Sequence, residues 1–455
     1  MTSRARTGAL IFLGSLFIYQ GNLRPVASLD SLPAALLPFS LYMDHSFRFD
    51  RFADHLKAGR PETPYYFREK DSHYYSMYPV ALPLLVTPLY VPVLAVIHPA
   101  ERSVAFLILL ARVLEKCMAG LLTAMAVAVF FLALDRLTSR RNALLLTAAY
   151  GFGTTVWAIS SQALWLHTGV GLFFVLTLLA LAQWAGSSRM RFLYLAGLWA
   201  GLALLVRPTV GLLAVAILAA LLLRRAPVRA LAAFLLPVML CGLAAAAYNV
   251  WLFQDLRGYT ALPVSRHPLG GLAGILFSPA RGLLIYCPIL IFAAAGFGRR
   301  PRKPETPLSL LMLAGVIFCG AHLALISLVE TWWGGHCWGP RYATEMMPFL
   351  VLMIVPALDT ILRSAWLRPL FFALLVYSIA LQSVGAFFYP AGLWDDRPVN
   401  ADYHTGRFWD WVDNPVRRTV SAGPNLVGHQ LLLEGLLHGK AAAIRKMKEA
   451  EFKGF

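Results

Sequence analysis

Acidic side chains that could act as general bases gather in one polar stretch near the start of the chain. Asp30 precedes an apolar segment, 32–41, that could lie as an amphipathic helix on a membrane surface. A carboxylate there can take a proton from a reacting hydroxyl, or it can cap the helix. Further carboxylates follow among Arg and Tyr residues, and most of them should be solvated ion partners: Asp44, Asp50, Asp54 and Asp71. Asp30 is therefore the candidate base, with capping as the alternative.

A second polar stretch, ETWWGGHCWGPRYATEMMP at 330–348, is rich in aromatic residues and glycine. Interfacial belts of membrane proteins also contain Trp and Tyr, but a belt does not explain Gly334-Gly335 or Gly339-Pro340, which indicate a specific backbone path. Aromatic faces can stack on sugar rings, and a guanidinium can hold a phosphate. The candidate ligands of a sugar, an acceptor or a phosphate are Trp332, Trp333, His336, Trp338, Arg341 and Tyr342. No second ligand pair stands at metal spacing beside His336-Cys337, so no metal site is expected.

Three further basic or ionisable residues could bind an anion. Arg207, in LLVRPTVGLL, lies in a turn between two apolar runs, where it could hold a phosphate or only reach lipid headgroups. Arg266 in the stretch 253–282 has the same two interpretations. His167, at the end of a predicted helix, is equally open.

Composition places these residues in a membrane protein. Of 455 residues, 58% are hydrophobic and 14% are charged, and the mean hydropathy is +0.63. Lipid must cover much of such a chain. The formal charge of +17 does not indicate nucleic-acid binding, because the basic residues form short clusters between apolar runs. The five cysteines form no close pair, so neither a disulfide framework nor a metal cluster is expected.

The apolar runs predict an all-α polytopic fold with about eleven transmembrane helices. The first run follows a basic start and lacks a small-residue cleavage site, so it is interpreted as an uncleaved span. The predicted spans are 8–22, 117–134, 143–160, 168–184, 192–206, 209–223, 229–252, 283–297, 307–329, 346–363 and 368–388. One further run, 77–98, contains four prolines.

The distribution of basic residues decides whether 77–98 crosses the membrane. If it does not, the clusters at 4–6, 136–141, 189–191, 224–229, 299–303 and 363–368 all fall on the side of the N-terminus, as the positive-inside rule requires. The segment should then lie at the interface or re-enter. This topology puts the N-terminus in the cytoplasm and the long loops 23–103, 253–282 and 330–345 outside. Residues 1–390 form the membrane domain, with juxtamembrane helices in 23–103, and 391–455 form an extracytoplasmic tail.

Four motifs resemble those of a known family. They are Leu29-Asp30-Ser31 after the first span, YYSMYPVALP at 74–83 with Tyr78, Arg112 in ARVLEKCMAGLL, and WGPRYATEMMP at 338–348. Together they resemble the GT-C glycosyltransferases, especially the bacterial branch of the protein O-mannosyltransferases and the lipid A aminoarabinose transferase. The resemblance covers roughly residues 8–390. Three positions depart from the family pattern: Ser31 replaces a second acid, Met77-Tyr78 stands where a Lys is frequent, and His167 replaces another acid.

The resemblance implies a sugar transfer at the outer face of the inner membrane. The donor would be a polyprenyl-phosphate-linked sugar, and the acceptor a glycan, lipid or protein; no cofactor and no nucleic acid are expected. Asp30 would be the general base. Arg112, Arg207, Arg266 and Arg341 would hold the donor phosphate, while Tyr78 and His167 would join the aromatic stretch in binding sugar or acceptor. The alternative function is a transporter or flippase of lipid-linked sugars, but such proteins usually show internal repeats and polar residues in mid-span.

The predicted topology has a direct test. Single cysteines placed at the N-terminus, in 135–142 or in 298–306 of a cysteine-free variant should be protected from an impermeant thiol reagent added outside, because basic loops stay in the cytoplasm. Cysteines in 330–345 or in the tail should react. Labelling from outside at any position in 298–306 would contradict the eleven-span arrangement.

Overall fold

The computed structural model describes residues 3–22, 24, 26, 28–57, 62–256, 264–299, 306–390 and 392–423, with isolated positions between 434 and 446. Arg300, Arg302 and Lys303 of a predicted cytoplasmic cluster lie outside the described residues, as does most of the predicted tail beyond 423.

Helices make up almost all of the regular structure. The first half contains α1 (Ser3–Gln20), α2 (Leu32–Asp44), α3 (Asp50–Lys57), α4 (Ala81–Ile97), α5 (Val104–Leu134), α6 (Arg140–Phe152), α7 (Leu166–Ser187), α8 (Met190–Val206) and α9 (Leu212–Leu223). The second half contains α10 (Val228–Phe253), α11 (Pro268–Phe277), α12 (Leu283–Tyr286), α13 (Phe292–Phe297), α14 (Pro307–Ser327), α15 (Met347–Leu352), α16 (Val355–Arg363), α17 (Leu367–Phe387) and α18 (Pro415–Ala422). Short 3₁₀ turns cover Pro99–Glu101, Pro208–Gly211, Pro288–Ile291, Arg341–Met346 and Thr405–Trp409, and a π-helical turn covers Val156–Ser160.

One β-hairpin departs from the predicted all-α fold. Strands β1 (Phe67–Lys70) and β2 (His73–Ser76) pair antiparallel, with Phe67 opposite Ser76 and Lys70 opposite His73. The two residues of the turn, Asp71 and Ser72, have positive φ angles of 51° and 60°. Four-residue strands carry too little alternation to be recognised in the sequence.

Polar residues mark the first turns of several helices. The hydroxyl oxygens of Ser103, Ser139 and Thr306 accept hydrogen bonds from backbone N–H groups at the starts of α5, α6 and α14. Such caps satisfy amides that have no partner within the helix. The cap at Ser103 starts α5 well before the predicted boundary at 117. The charged turn that contains Arg112 therefore lies inside a helix of 31 residues.

The described residues contain fewer long helices than the predicted number of spans. Five helices (α5, α7, α10, α14 and α17) are long and apolar enough to cross a membrane, and the bent pair 341–352 and 355–363 adds a sixth if it is one span. Proline explains much of the difference, because it removes a backbone donor and clashes with the preceding turn. Pro208 and Pro288 each begin a 3₁₀ turn that shortens a predicted span. The eleven spans stay a prediction.

Segments that the charge pattern assigned to one side of the membrane meet at one end of the bundle. Arg4 pairs with Asp135 at 2.6 Å, and Arg140 pairs with the same carboxylate at 3.4 Å. Asn142 donates to Asp359 at 2.9 Å. The N-terminus, the 135–142 loop and the end of α16 are thereby joined.

Buried apolar side chains fill the helical bundle from α1 to α17, and a second cluster lies among the loops. This second cluster contains Ala280, Trp333, Trp394, Ala401 and Phe408. It joins the loop after α11, the tryptophan stretch and the segment 392–423. The described part of the predicted tail therefore packs against the membrane domain.

Candidate active site

The long loops surround one cavity of about 1970 Å³. Its wall combines the first loop, the start of α7, the end of α8, the tryptophan stretch and the segment 392–423. Most of the predicted site residues line it: Asp30, Tyr78, His167, Arg207, Arg266, Trp332, Trp333, His336, Arg341 and Tyr342. Loops that are far apart in sequence thus bring the predicted base and three of the four predicted phosphate ligands into one space.

Asp30 makes its contacts across the cavity wall and does not cap α2. Its Oδ2 accepts a hydrogen bond from Arg341 Nη1 at 2.6 Å, and its Oδ1 accepts from the hydroxyls of Tyr65 at 2.8 Å and Tyr78 at 3.0 Å. The N-cap position of α2 is occupied by Ser31, which makes no side-chain cap. The capping alternative for Asp30 therefore does not fit this geometry.

Electrostatics keep the Asp30 carboxyl ionised. Burial raises its pKa, but the charge of Arg341 and the hydrogen bonds from Arg341, Tyr65 and Tyr78 together outweigh burial and leave the pKa below its usual value. Burial and the nearby Asp30 carboxylate raise the pKa of both tyrosines, so they remain protonated donors. The side chain of Asp30 is 26% exposed. It is thus an accessible carboxylate in the charge state that a general base requires.

The β-hairpin positions the two tyrosines, since Tyr65 precedes β1 and Tyr78 follows β2. The hairpin is held to α3 by Asp50, which accepts from His73 Nδ1 at 2.7 Å and from the Tyr74 amide at 2.9 Å. Asp44 pairs with Arg51 at 2.8 Å. Asp44 and Asp50 are thus ion partners, as predicted for most of the acids in this loop. Tyr65 was not predicted, because its distance from Asp30 in sequence gives no signal.

Arg341 is fixed by the glycines around it. Gly334 and Gly335 have φ angles of +76° and +72°, a region that side chains rarely adopt. A Cβ on Gly334 would lie 3.5 Å from Arg341 Cβ, so the turn wraps closely around this residue. The guanidinium lies 5.6 Å from the centre of the Trp165 ring and 5.7 Å from that of Tyr342. The specific backbone path expected from the glycine pairs is present.

A buried carboxylate that the sequence analysis did not single out holds Arg207. Glu345 Oε1 lies 2.7 Å from Arg207 Nη1 and 2.6 Å from His167 Nδ1. Its Oε2 is 3.8 Å from His322 Nε2. Arg207 is only 13% exposed and does not extend toward solvent, so the headgroup interpretation does not fit. Glu345 could have been recognised from the sequence, because an ionisable residue next to an apolar span often has a functional role.

Two predicted residues lie away from the cavity wall. Trp338 is fully buried and packs edge-on against Tyr286 at 5.3 Å. It does so because the chain turns inward at Gly339, where φ is +66°, and because Gly385 leaves room for the indole. Arg112 pairs with Glu115, one turn along the same helix, at 2.8 Å. Neither side chain lines the cavity, so the structure does not bring Trp338 or Arg112 together with the other predicted site residues.

The segment 392–423 closes one side of the cavity beside His336. His336 Nε2 lies 3.3 Å from Asp402, and its Nδ1 lies 3.6 Å from Asp396. The hydrogen bond with Asp402 is the main reason that the pKa of His336 is raised. Trp333 Nε1 donates to Asp402 at 2.6 Å. Trp332 and Trp333 thus form the wall between this segment and the rest of the site.

Two contacts of Arg281 position the tryptophan stretch. Arg281, fully buried, pairs with Asp395 and donates to the Gly335 carbonyl at 3.2 Å. It therefore anchors the tryptophan stretch to the segment 392–423.

Arg266 lines the cavity where its wall is exposed. Among the described residues, no group of three or more His, Cys, Asp or Glu side chains could hold a metal ion.

No family model and no curated protein matches the chain. Among solved structures, the chain is similar to the apo crystal structure of the Archaeoglobus fulgidus oligosaccharyltransferase, with a TM-score of 0.43 and 12% sequence identity. The match covers 90% of this chain and 60% of that one. A similarity of this size does not assign a fold or an activity.

The Glu345 cluster generates a stability prediction. Glu345→Gln should lower the free energy of unfolding by about 3–5 kcal/mol, because it leaves the partly buried Arg207 guanidinium without its carboxylate. A second change, Arg207→Gln, should recover part of the loss by removing the unpaired charge. Thermal unfolding in detergent micelles measures both, with the exposed Glu69→Gln as the control. A Glu345→Gln variant as stable as the control would contradict the pairing.

Proposed function

We propose that this chain is a GT-C-like glycosyltransferase, related to the branch named above, that moves a sugar from a polyprenyl phosphate to a hydroxyl acceptor at the outer face of the inner membrane. The observation that supports this most is the contact of Asp30 with Arg341 inside a large aromatic cavity. A base and a phosphate ligand then lie side by side. Sugar transfer from a lipid phosphate requires both.

The chemistry follows from those two groups. The Asp30 carboxylate takes the proton of the acceptor hydroxyl. At the same time, the hydroxyl oxygen forms a bond to the anomeric carbon of the sugar. The bond between that carbon and the phosphate oxygen breaks, and its electron pair leaves with the polyprenyl phosphate. Guanidinium groups stabilise the charge on the departing phosphate. The products are the glycosylated acceptor, the free lipid phosphate and a proton held by Asp30.

Donor binding would also release the base. Without a donor, Arg341 occupies one oxygen of Asp30 and the two tyrosines occupy the other. A phosphate that shares the Arg341 guanidinium draws it away from the carboxylate, and this raises the proton affinity of Asp30. The base is thereby strongest when a donor is present. Trp332, Tyr342 and Trp165 offer ring faces for the sugar along the same wall.

Donor affinity should depend on Arg341. Arg341→Ala should weaken binding of a radiolabelled polyprenyl-phosphate sugar about ten- to a hundredfold, because one charge-assisted contact is lost. Arg341→Lys should rescue only partly, since an ammonium lacks the bidentate fork. Arg207→Ala should also weaken binding, and it should lower stability as well, because it leaves the buried Glu345 carboxylate without its guanidinium partner. Donor affinity is measured on purified protein, and the exposed Arg48→Ala is the control.

Transfer itself is tested with the wild-type protein. Incubation with candidate radiolabelled lipid-linked sugars and membrane extract should move label from the lipid to an acceptor. Unchanged donor affinity in the Arg341 and Arg207 variants would contradict the phosphate assignment. Binding and translocation of the lipid without any transfer would favour a flippase instead.

A further inference from the structure

The cavity wall contains one buried guanidinium that the proposed chemistry does not use. Among the described residues, four arginines line the cavity: Arg24, Arg207, Arg266 and Arg341. Arg207 pairs with Glu345, Arg341 pairs with Asp30, and Arg266 is exposed. Arg24 differs from all three, because it is only 4% exposed and pairs with no carboxylate in the part of the chain that the structure describes.

The contacts of Arg24 leave part of its guanidinium unsatisfied. Its Nη1 donates to the backbone carbonyl of Phe387, at the end of α17, at 3.1 Å. Its Nη2 is buried and has no hydrogen-bond partner in the part of the chain that the structure describes. Buried charged groups are costly unless an opposite charge and hydrogen bonds compensate them. Burial lowers the pKa of Arg24 only to about 10, so it remains charged at neutral pH.

A second buried basic side chain, Lys116, belongs to a hydrogen-bond network that begins at Asn22, two residues before Arg24. Asn22 donates to Gln162 Oε1 at 2.7 Å, and Lys116 Nζ donates to the same oxygen at 3.0 Å. Lys116 directs its other two bonds to the carbonyls of Tyr19 and Ser161. Neither Lys116 nor Arg24 pairs with a carboxylate among the described residues. Arg24 is therefore a buried cation without an anionic partner among the described residues.

The position of Arg24 indicates what kind of anion would fit. It follows α1 and contacts the end of α17, and both helices expose apolar side chains such as Leu13, Phe17 and Val376. A group bound here lies beside a lipid-facing surface. The anionic part of a lipid therefore fits better than a freely diffusing anion.

We propose that Arg24 binds the phosphate group of the lipid carrier, beside the reaction centre formed by Asp30 and Arg341. This assignment rests on the proposed function and adds a phosphate ligand to it. A small shift of the side chains around Arg24 would let Nη2, which is now buried, donate a charge-assisted hydrogen bond to a phosphate oxygen. The negative phosphate compensates the buried charge of Arg24. Arg24 thus holds the carrier before transfer and retains the departing phosphate after it.

The test compares three probes on purified full-length protein in nanodiscs. They are a polyprenyl phosphate, the polyprenol of the same chain length, and phosphatidylglycerol. Arg24→Gln should weaken binding of the polyprenyl phosphate about ten- to a hundredfold and leave polyprenol binding unchanged. Arg24→Lys should retain part of the affinity, and it serves as the second variant if Arg24→Gln does not fold. The exposed Arg136→Gln, at the opposite end of the bundle, is the matched control.

Each outcome has a separate meaning. A loss confined to the polyprenyl phosphate supports the assignment. Unchanged affinity in Arg24→Gln and Arg24→Lys overturns it and leaves the proposed function intact, since Arg24 then serves only to join the first loop to α17. An equal loss for phosphatidylglycerol also overturns it, because the site would then bind general anionic headgroups. Wild-type protein that binds polyprenyl phosphate no better than polyprenol contradicts the proposed function as well.

Discussion

The ion pair between Asp30 and Arg341 is the contact on which the site depends. It joins residues 311 positions apart and ties the first loop to the tryptophan stretch. Partial burial of these charges is costly unless their remaining hydrogen-bonding capacity is satisfied. Tyr65 and Tyr78, at the two ends of the hairpin, donate hydrogen bonds to the Asp30 carboxylate. The rings of Trp165 and Tyr342 flank the Arg341 guanidinium. The hairpin and the turn at Gly334-Gly335 thus supply the surroundings that this ion pair needs.

The same electrostatic rule organises the surroundings of the site. Several carboxylates that are almost fully buried near the cavity each have a guanidinium partner: Glu115 with Arg112, Glu345 with Arg207, and Asp395 with Arg281. The pairs of Glu345 and Asp395 connect helix ends and loops, whereas the pair of Glu115 lies within α5. The Asp30 carboxylate is left partly accessible, and the Arg24 guanidinium has no carboxylate partner among the described residues. In the proposed account, these two departures mark where substrates bind.

The sequence alone predicts most of the residues that line the candidate site, but not the contacts between them. Asp30, Tyr78, Arg207 and Arg341 were predicted because their residue types, loop positions and family motifs agree. Tyr65 and Glu345 were missed, since their roles arise only from contacts between distant segments.

Errors in the predicted elements have similar physical causes. The aromatic type of Trp338 predicts a contact with sugar or acceptor, but the turn at Gly339 and the space at Gly385 place its ring in the core. The start of α5 was placed too late because a charged turn looked like a loop, whereas Arg112 and Glu115 neutralise each other within the helix.

The proposed role of Asp30 as the base is tested most directly by the turnover of purified Asp30→Asn protein, with donor affinity measured in parallel and Asp44→Asn as the control. The account predicts a folded variant that binds the donor and transfers sugar at least about a hundredfold more slowly, since a positioned base contributes about 10²–10⁴-fold, while the control stays near wild type. An Asp30→Asn variant with near-normal transfer would contradict it.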